Sequence, residues 1–328
     1  MDPQLFEELF PDDEEAVDGD DTAMTIPVAT HARLTDERDT GTFWHSQGIV
    51  LVKRGQFREA LESFERALGI DPNRAESWYY RGNALRKVGR LADAVVSYEQ
   101  AIALDPAAYL AWNCYGVALH QLKRYTEAVT AFDRALVIRA AFYAAWNNRG
   151  SALLALERYE EALASYERAL TLRPTFYQAW NNKGNVLRKL NQPLEAIAAY
   201  EQALTLQPTL YETWNNQGTV LAHLEQHEAA LVAFEQAVLH CESYFLGWYN
   251  IGRVLIKLQR WNEAIAALEK AATLDANVFG VWFHLGNLRL RLEQHTAALA
   301  HFERALQLNP NSVEAMNSRE LARHLATR

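Results

Sequence analysis

The stretch AWNNRG occupies residues 145–150, AWNNKG residues 179–184 and TWNNQG residues 213–218, each 34 residues after the one before. The same register runs outward in both directions. Trp44, Trp78, Trp112, Trp146, Trp180, Trp214, Trp248 and Trp282 keep one spacing, and each is followed four residues later by a glycine, from Gly48 to Gly286. Alanines stay in step, from Ala60 and Ala67 in the first unit to Ala298 and Ala305 in the eighth. Between the two alanines of each unit stands a large residue: Phe64, Tyr98, Phe132, Tyr166, Tyr200, Phe234, Leu268 or Phe302. A fixed period of this length marks a solenoid of stacked units.

Each unit reads as two helices. In the fourth, Trp146, Gly150 and Leu153 are spaced four and three, one helical stripe; after the turn ERY, Ala162, Tyr166 and Ala169 form a second. Pro174 then stops the chain from continuing as helix, as Pro72, Pro106, Pro208 and Pro310 do in other units. Pro193 falls where the fifth unit's second helix begins, a position that tolerates proline. A glycine inside a helix costs about 1 kcal/mol relative to alanine. Its recurrence here makes sense if the missing Cβ lets two helices approach closely.

Composition narrows the class. At 328 residues the chain is long for one globular core and suits two domains or one elongated array. A hydrophobic content of 49% is too high for a wholly disordered chain. No run approaches the roughly 18 apolar residues that span a bilayer, so no membrane insertion is expected. The opening MDPQLFEELFPDDEEAVDGDD lacks the features of a secretory signal, and Cys114 and Cys241 make neither a disulfide framework nor a metal quartet; the expected address is cytoplasmic. Residues 1–40 hold 13 acidic residues against Arg33 and Arg38, a net −11; since the whole chain is −9, the remaining 288 residues carry +2. A body so nearly neutral is a poor candidate for nucleic acid, which needs a concentrated basic face.

The pattern resembles the tetratricopeptide repeat family, whose signature is Trp-x2-Leu-Gly-x2-Tyr…Ala-x3-Phe…Ala…Pro. The fourth unit offers Trp146, Arg149, Gly150, Leu153, Ala162, Tyr166, Ala169 and Pro174 at those places. Eight units fit: 41–74, 75–108, 109–142, 143–176, 177–210, 211–244, 245–278 and 279–312. The resemblance implies an all-α, right-handed superhelical solenoid of helix-turn-helix units, closed by a C-terminal capping helix over residues 313–328. Departures are visible. The family's Leu is basic or Gln at Arg81, Arg149, Lys183 and Gln217, and its Pro is replaced by Ala140, Glu242 and Ala276.

Let each unit be numbered 1–34 with Trp at position 4. At about 100° per residue, positions 4, 8 and 11 share one side of the first helix, and positions 2, 5, 6, 9, 12 and 13 the other. The amides after Trp therefore face away from it. In the family the first helices line the concave surface, so the resemblance places these residues in a binding groove and likens Asn148, Asn182, Asn216 and Asn250 to the asparagine ladder of some members, which grips the backbone of an extended peptide. An amide offers both a donor and an acceptor, as a peptide group does. Each such bond is worth about 1 kcal/mol net, whereas micromolar affinity needs about 8 kcal/mol, so amides set position and direction and other contacts supply affinity. The candidate groove comprises Asn113, Asn147, Asn148, Asn181, Asn182, Asn215, Asn216 and Asn250, with Tyr79, Tyr80, Tyr249 and Phe283, and the bases Arg188, Lys189, Lys257 and Arg291. Copying of near-identical units without a ligand is the alternative explanation for the asparagines. No unit carries the Lys and Asn set with which some members clamp a terminal carboxylate.

Catalysis finds no support. His223 and His227 straddle a turn and lack a third metal ligand; Cys114 and His120 have no triad partner; the repeat glycines are committed to packing rather than to a phosphate-cradling loop. Only 16 residues follow the last unit. No cofactor is expected. In the tail, Leu5, Phe6, Leu9 and Phe10 fall on one helical face amid acidic residues, a pattern suited to docking on a partner or on the protein's own groove, as against a merely solubilising tail. The expectation is a non-catalytic scaffold that holds an extended segment of a client protein. Two alternatives stand beside it: an assembly chaperone for a larger complex, such as a membrane-bound or photosynthetic one, and a targeting subunit of a separately encoded enzyme.

Overall fold

The protein is described from a computed structural model over residues 40–327; the acidic segment and its Leu5, Phe6, Leu9 and Phe10 lie outside the described residues. Among the described residues are seventeen helices and no strand. The first helices of the eight hairpins are α1 (Gly41–Lys53), α3 (Ala75–Lys87), α5 (Tyr109–Gln121), α7 (Tyr143–Ala155), α9 (Tyr177–Lys189), α11 (Tyr211–His223), α13 (Phe245–Lys257) and α15 (Phe279–Arg291). Their partners are α2 (Phe57–Ile70), α4 (Leu91–Leu104), α6 (Tyr125–Ile138), α8 (Tyr159–Leu172), α10 (Pro193–Leu206), α12 (His227–His240), α14 (Trp261–Leu274) and α16 (His295–Leu308). A single helix, α17 (Val313–Ala326), follows. The all-α solenoid expected from the periodicity is what the chain forms.

Two kinds of turn set the period. Within each hairpin, position 15 adopts a positive φ: Gly55 at 73° and Gly89 at 81° in the first two, then Lys123, Glu157, Asn191, Glu225, Gln259 and Glu293, these six near 60°. That conformation reverses the chain between the helices. Between hairpins, an acid or amide side chain accepts from the amide two residues on: Asp105 from Ala107 at 3.0 Å, Asp275 from Asn277 at 2.8 Å. The ends are capped by hydroxyls, Thr40 accepting from the Phe43 amide and Ser312 from the Ala315 amide.

The chain forms two compact units that divide between Val186 and Leu187, within α9. In each unit the hairpins pack in sequence, every second helix lying against the next first helix. First helices also touch their successors, α1 with α3, α3 with α5 and α5 with α7 in one unit, α11 with α13 in the other. In the second unit α17 closes the stack: Ala322 packs on Ala298 and Phe302 of α16.

The deepest residues are the rings at position 24 and not the indoles. Phe64, Tyr98, Phe132, Tyr166 and Phe302 are fully buried. Each lies against the repeat glycine: a Cβ on Gly150 would stand 2.7 Å from the Tyr166 ring, inside any real contact distance. Trp78, Trp112 and Trp146 are half-buried at the hairpin junctions, and each Nε1–H donates to the carbonyl six residues back, Trp78 to Pro72 at 2.9 Å and Trp146 to Ala140 at 2.9 Å. The bond uses a backbone carbonyl, so the loss of Pro at Ala140, Glu242 and Ala276 leaves it intact; Trp248 and Trp282 make the same bond at 2.8 and 2.9 Å.

The basic residues at position 7 join hairpins to one another. Arg149 donates to Asp133 of the preceding hairpin at 2.6 Å and to the buried Ser165 at 2.7 Å. Arg81 bridges Glu65 and Ser97 in the same manner, and Lys183 reaches Glu167 at 2.9 Å. Their charged heads also sit over the indole of their own helix, Arg149 at 5.8 Å from the Trp146 ring and Lys183 at 5.6 Å from Trp180.

Candidate functional site: the first-helix face

Within each unit the first helices carry the residues singled out above, and the structure corrects how they stand there. The asparagines do not project freely. Asn113, Asn147, Asn148, Asn182 and Asn215 are buried, Asn147 completely. Position 6 of one hairpin bonds position 5 of the hairpin before: Asn148 Nδ2 donates to Asn113 Oδ1 at 3.1 Å, and Asn182 Nδ2 to Asn147 Oδ1 at 3.1 Å. Asn147 Nδ2 in turn points at Asn148 Oδ1 at 3.5 Å, the long limit of such a bond. In the first unit these four side chains form a relay, Asn182 to Asn147 to Asn148 to Asn113. The second unit repeats the link, Asn250 Nδ2 to Asn215 Oδ1 at 2.8 Å.

The physical reason is the contact between successive first helices. A helical wheel has two sides, one apolar and one polar, but a first helix in a stack has three surroundings: its own partner, its neighbouring first helices and solvent. Positions 5 and 6 flank the helix where its neighbour passes. A buried amide must be paired, and here the amides pair with one another. The sequence signal was the doubled Asn itself, which puts a donor and an acceptor 35 residues apart in every adjacent pair.

Other expected residues are also partly engaged. Asn181 and Asn216 each hold an interaction. Phe283 packs between Phe279 at 5.5 Å and the buried Phe302 at 6.1 Å. The Arg291 guanidinium covers the Trp261 ring at 4.4 Å. Arg188 hydrogen-bonds Tyr200, whose hydroxyl burial pushes up to about 12. Lys189 is exposed. Position 9 is committed to the core in two hairpins: Asn83 accepts from the Tyr98 hydroxyl at 2.6 Å, and Ser151 pairs with the Tyr166 hydroxyl at 3.1 Å.

Each unit, taken by itself, has a cleft among its first helices. In the first unit, a cleft of about 370 Å³ lies between α3 and α5, lined by Tyr79, Tyr80, Tyr109, Leu110 and alanines of the hairpin junction, with Glu76 and Asp105 among its lining residues. Tyr79 and Tyr80 meet edge to face at 5.0 Å, and Tyr80 stacks on Phe64 at 6.0 Å, so the ring wall is anchored in the core. Sequence reasoning missed Tyr109 and Leu110: the wheel puts position 2 on the groove side, but nothing within one helix marks these two residues as the wall of a cleft shared with the helix before. In the second unit, a cleft of about 160 Å³ brings together Asn250, Arg253, Lys257, His223 and His227. Tyr249 lies beside it, its ring 5.7 Å from the Arg253 guanidinium.

Among the described residues no group of three His, Cys, Asp or Glu side chains could hold a metal ion, and no helix is long and apolar enough to cross a membrane. His120 is held below its ordinary titration range by burial, and His284 by burial and the nearby Arg253 charge.

Family models described as tetratricopeptide repeat match residues 45–97, 81–144, 143–176, 177–210, 211–239 and 249–313. Comparison with curated proteins gives no match. Among solved structures, a chain of the APC/C hetero-tetramer Cut9-Hcn1 aligns with TM-score 0.55 at 18% identity, over 88% of this chain and 57% of that one. This chain thus spans little more than half the length of that relative. A tetratricopeptide repeat protein from Parabacteroides merdae aligns with TM-score 0.55 at 17% identity, over 76% of this chain and 98% of that one. YrrB, described as having an unusual peptide-binding site, aligns with TM-score 0.48 at 24% identity over 57% of this chain and 96% of its own.

Proposed function

The chain belongs to the tetratricopeptide repeat family, and from that premise we propose that it is a non-catalytic, cytoplasmic scaffold whose first-helix face receives an extended segment of a client protein. Repeats of this family support protein–protein interaction; the extended segment and the face are the finer reading. One observation carries it: the cleft walled by Tyr79, Tyr80, Tyr109 and Leu110 is open, largely apolar and backed by rings fixed in the core. A volume of about 370 Å³ suits one or two large side chains of an incoming segment.

The amides take a different part from the one the ladder resemblance gives them. The buried amides are spent on holding neighbouring first helices in register, and of the bonded set only the half-buried Asn250 keeps an accessible share of its donor and acceptor sites for a passing backbone. Affinity then rests, in the first unit, on the aromatic cleft, and in the second on basic positions such as Lys257 and Lys189. Client and scaffold meet without chemistry: His223 with His227, and Cys114 with His120, serve as surroundings and not as catalysts.

A photo-crosslinking residue placed at Leu110, with a second placed at Val137 on α6, which is 81% exposed, tests the reading in the full chain. Client peptides should be captured from Leu110 and not from Val137. Equal capture from both positions, or capture from Val137 alone, contradicts it. The identity of the captured client also separates a general scaffold from an assembly factor or an enzyme's targeting subunit.

A further inference from the structure

Several cations of this protein have a carboxylate partner. Arg124 pairs with Glu127, Arg158 with Glu161, Arg260 with Glu263, and Arg149 with Asp133, each within 2.7 Å. The cleft of the second unit gathers basic groups with no acid beside them. It is bounded by Thr219, Ala222 and His223 of α11, His227 and Phe234 of α12, and Asn250, Arg253, Val254 and Lys257 of α13. Arg253, Lys257, His223 and His227 converge there, no acidic residue lines the space, and none of the four has an ion-pair partner among the described residues. His227 Nδ1 is buried and has no hydrogen-bond partner. Asn250 is fixed at the rim by its bond to Asn215, and the Tyr249 ring lies beneath the Arg253 guanidinium.

Resting on the reading of the first-helix face as the client surface, we propose that this cleft is a receptor for one carboxylate side chain, Asp or Glu, of the client segment. Arg253, Lys257 and His223 are exposed at the cleft, and an anionic oxygen entering it meets their charged or polar heads together with the buried, unpartnered His227 Nδ1. The size selects the ligand. About 160 Å³ admits a carboxylate and its stem but falls below the roughly 300 Å³ at which cofactor sites begin. The apolar part of the lining, Phe234, Val254 and Ala222, meets the methylenes of such a side chain while the bases meet its head.

The test uses the full chain with histidine rings observed by NMR. N-acetylglutamate methylamide is titrated against its glutamine counterpart. The His223 and His227 ring signals should move with the glutamate probe, stay still with the glutamine probe, and stay still with both in R253Q/K257Q. A second arm takes peptides selected by display on the wild-type chain: replacing their conserved acid by its amide should weaken binding about tenfold on wild type and hardly at all on R253Q/K257Q. Equal response to the two probes, a response that survives in R253Q/K257Q, or selected peptides without an acidic preference overturns the proposal. So does a phosphoserine probe that outbinds the glutamate probe by about tenfold or more. Should the glutamate probe act as expected while selected peptides leave the first-helix face untouched, the receptor stands and the client-surface reading falls.

Discussion

Asn182 donates its side-chain N–H to the side-chain oxygen of Asn147, one repeat earlier, at 3.1 Å, and both groups are buried. The bond makes the doubled asparagine a fastener between hairpins. Asn147→Ala would strand the Asn182 donor and break the four-residue relay at its middle. The expected cost is about 1–3 kcal/mol in a urea unfolding series, and Asn182→Ala should add little once Asn147 is gone. Additive losses from the two single variants would show the bond to be unimportant.

Glu157 occupies the left-handed turn at φ 59°, where the first two hairpins use Gly55 and Gly89. A side chain there costs about 1 kcal/mol or more, which glycine avoids. Glu157→Gly should therefore raise the unfolding midpoint, by about 0.5–1 kcal/mol after the greater freedom of the unfolded chain is counted. A lower midpoint would mean that the Glu157 side chain contributes something its exposure does not suggest.

Gly150→Ala places a methyl 2.7 Å from the Tyr166 ring at a site with no spare volume. The ring must shift, and its hydroxyl must leave Ser151. We expect a loss of about 1–3 kcal/mol, read from thermal or urea unfolding. The same substitution at Gly69, which has nothing within 4 Å, should be neutral or stabilising, so the pair separates crowding from glycine's backbone freedom.

His45 and His120 sit below their ordinary value of 6.5, in both cases chiefly because burial disfavours the charged ring. The unfolded chain then binds more protons than the folded one as pH falls below 6.5, so this share of stability is full above that value and lost as pH drops towards the lowered folded values. Unfolding midpoints should fall between about pH 7 and pH 5.5, and His120→Gln should flatten that slope. A slope identical to wild type would place the effect elsewhere.

The fold was legible almost entirely, because period, glycine, alanine pair and bulky ring each report a local packing need that repeats eight times. What the sequence concealed lies between repeats. Arg81, Arg149 and Lys183 read as departures from the family's leucine, yet each reaches the preceding hairpin's acid, 16 residues back, a distance no single-helix pattern reports. Trp146 reads as core, but its position at a junction leaves it half-buried, with the indole N–H spent on a carbonyl. The wheel sets the asparagines opposite Trp and the family resemblance places that side in a groove, but a wheel drawn for one helix has no neighbouring helix in it. Leu110 and Tyr109 escaped notice for the opposite reason: a cleft is a property of two helices, and neither residue is unusual in its own.

The claim on which the functional account rests is that client segments enter the first-helix face through the Tyr79, Tyr80, Tyr109 and Leu110 cleft. The most direct measurement is the affinity of a display-selected peptide for the wild-type chain and for Leu110→Glu, with thermal unfolding of both as control. The account predicts a loss of about tenfold or more at unchanged folding. Undiminished binding to a folded Leu110→Glu chain would contradict it.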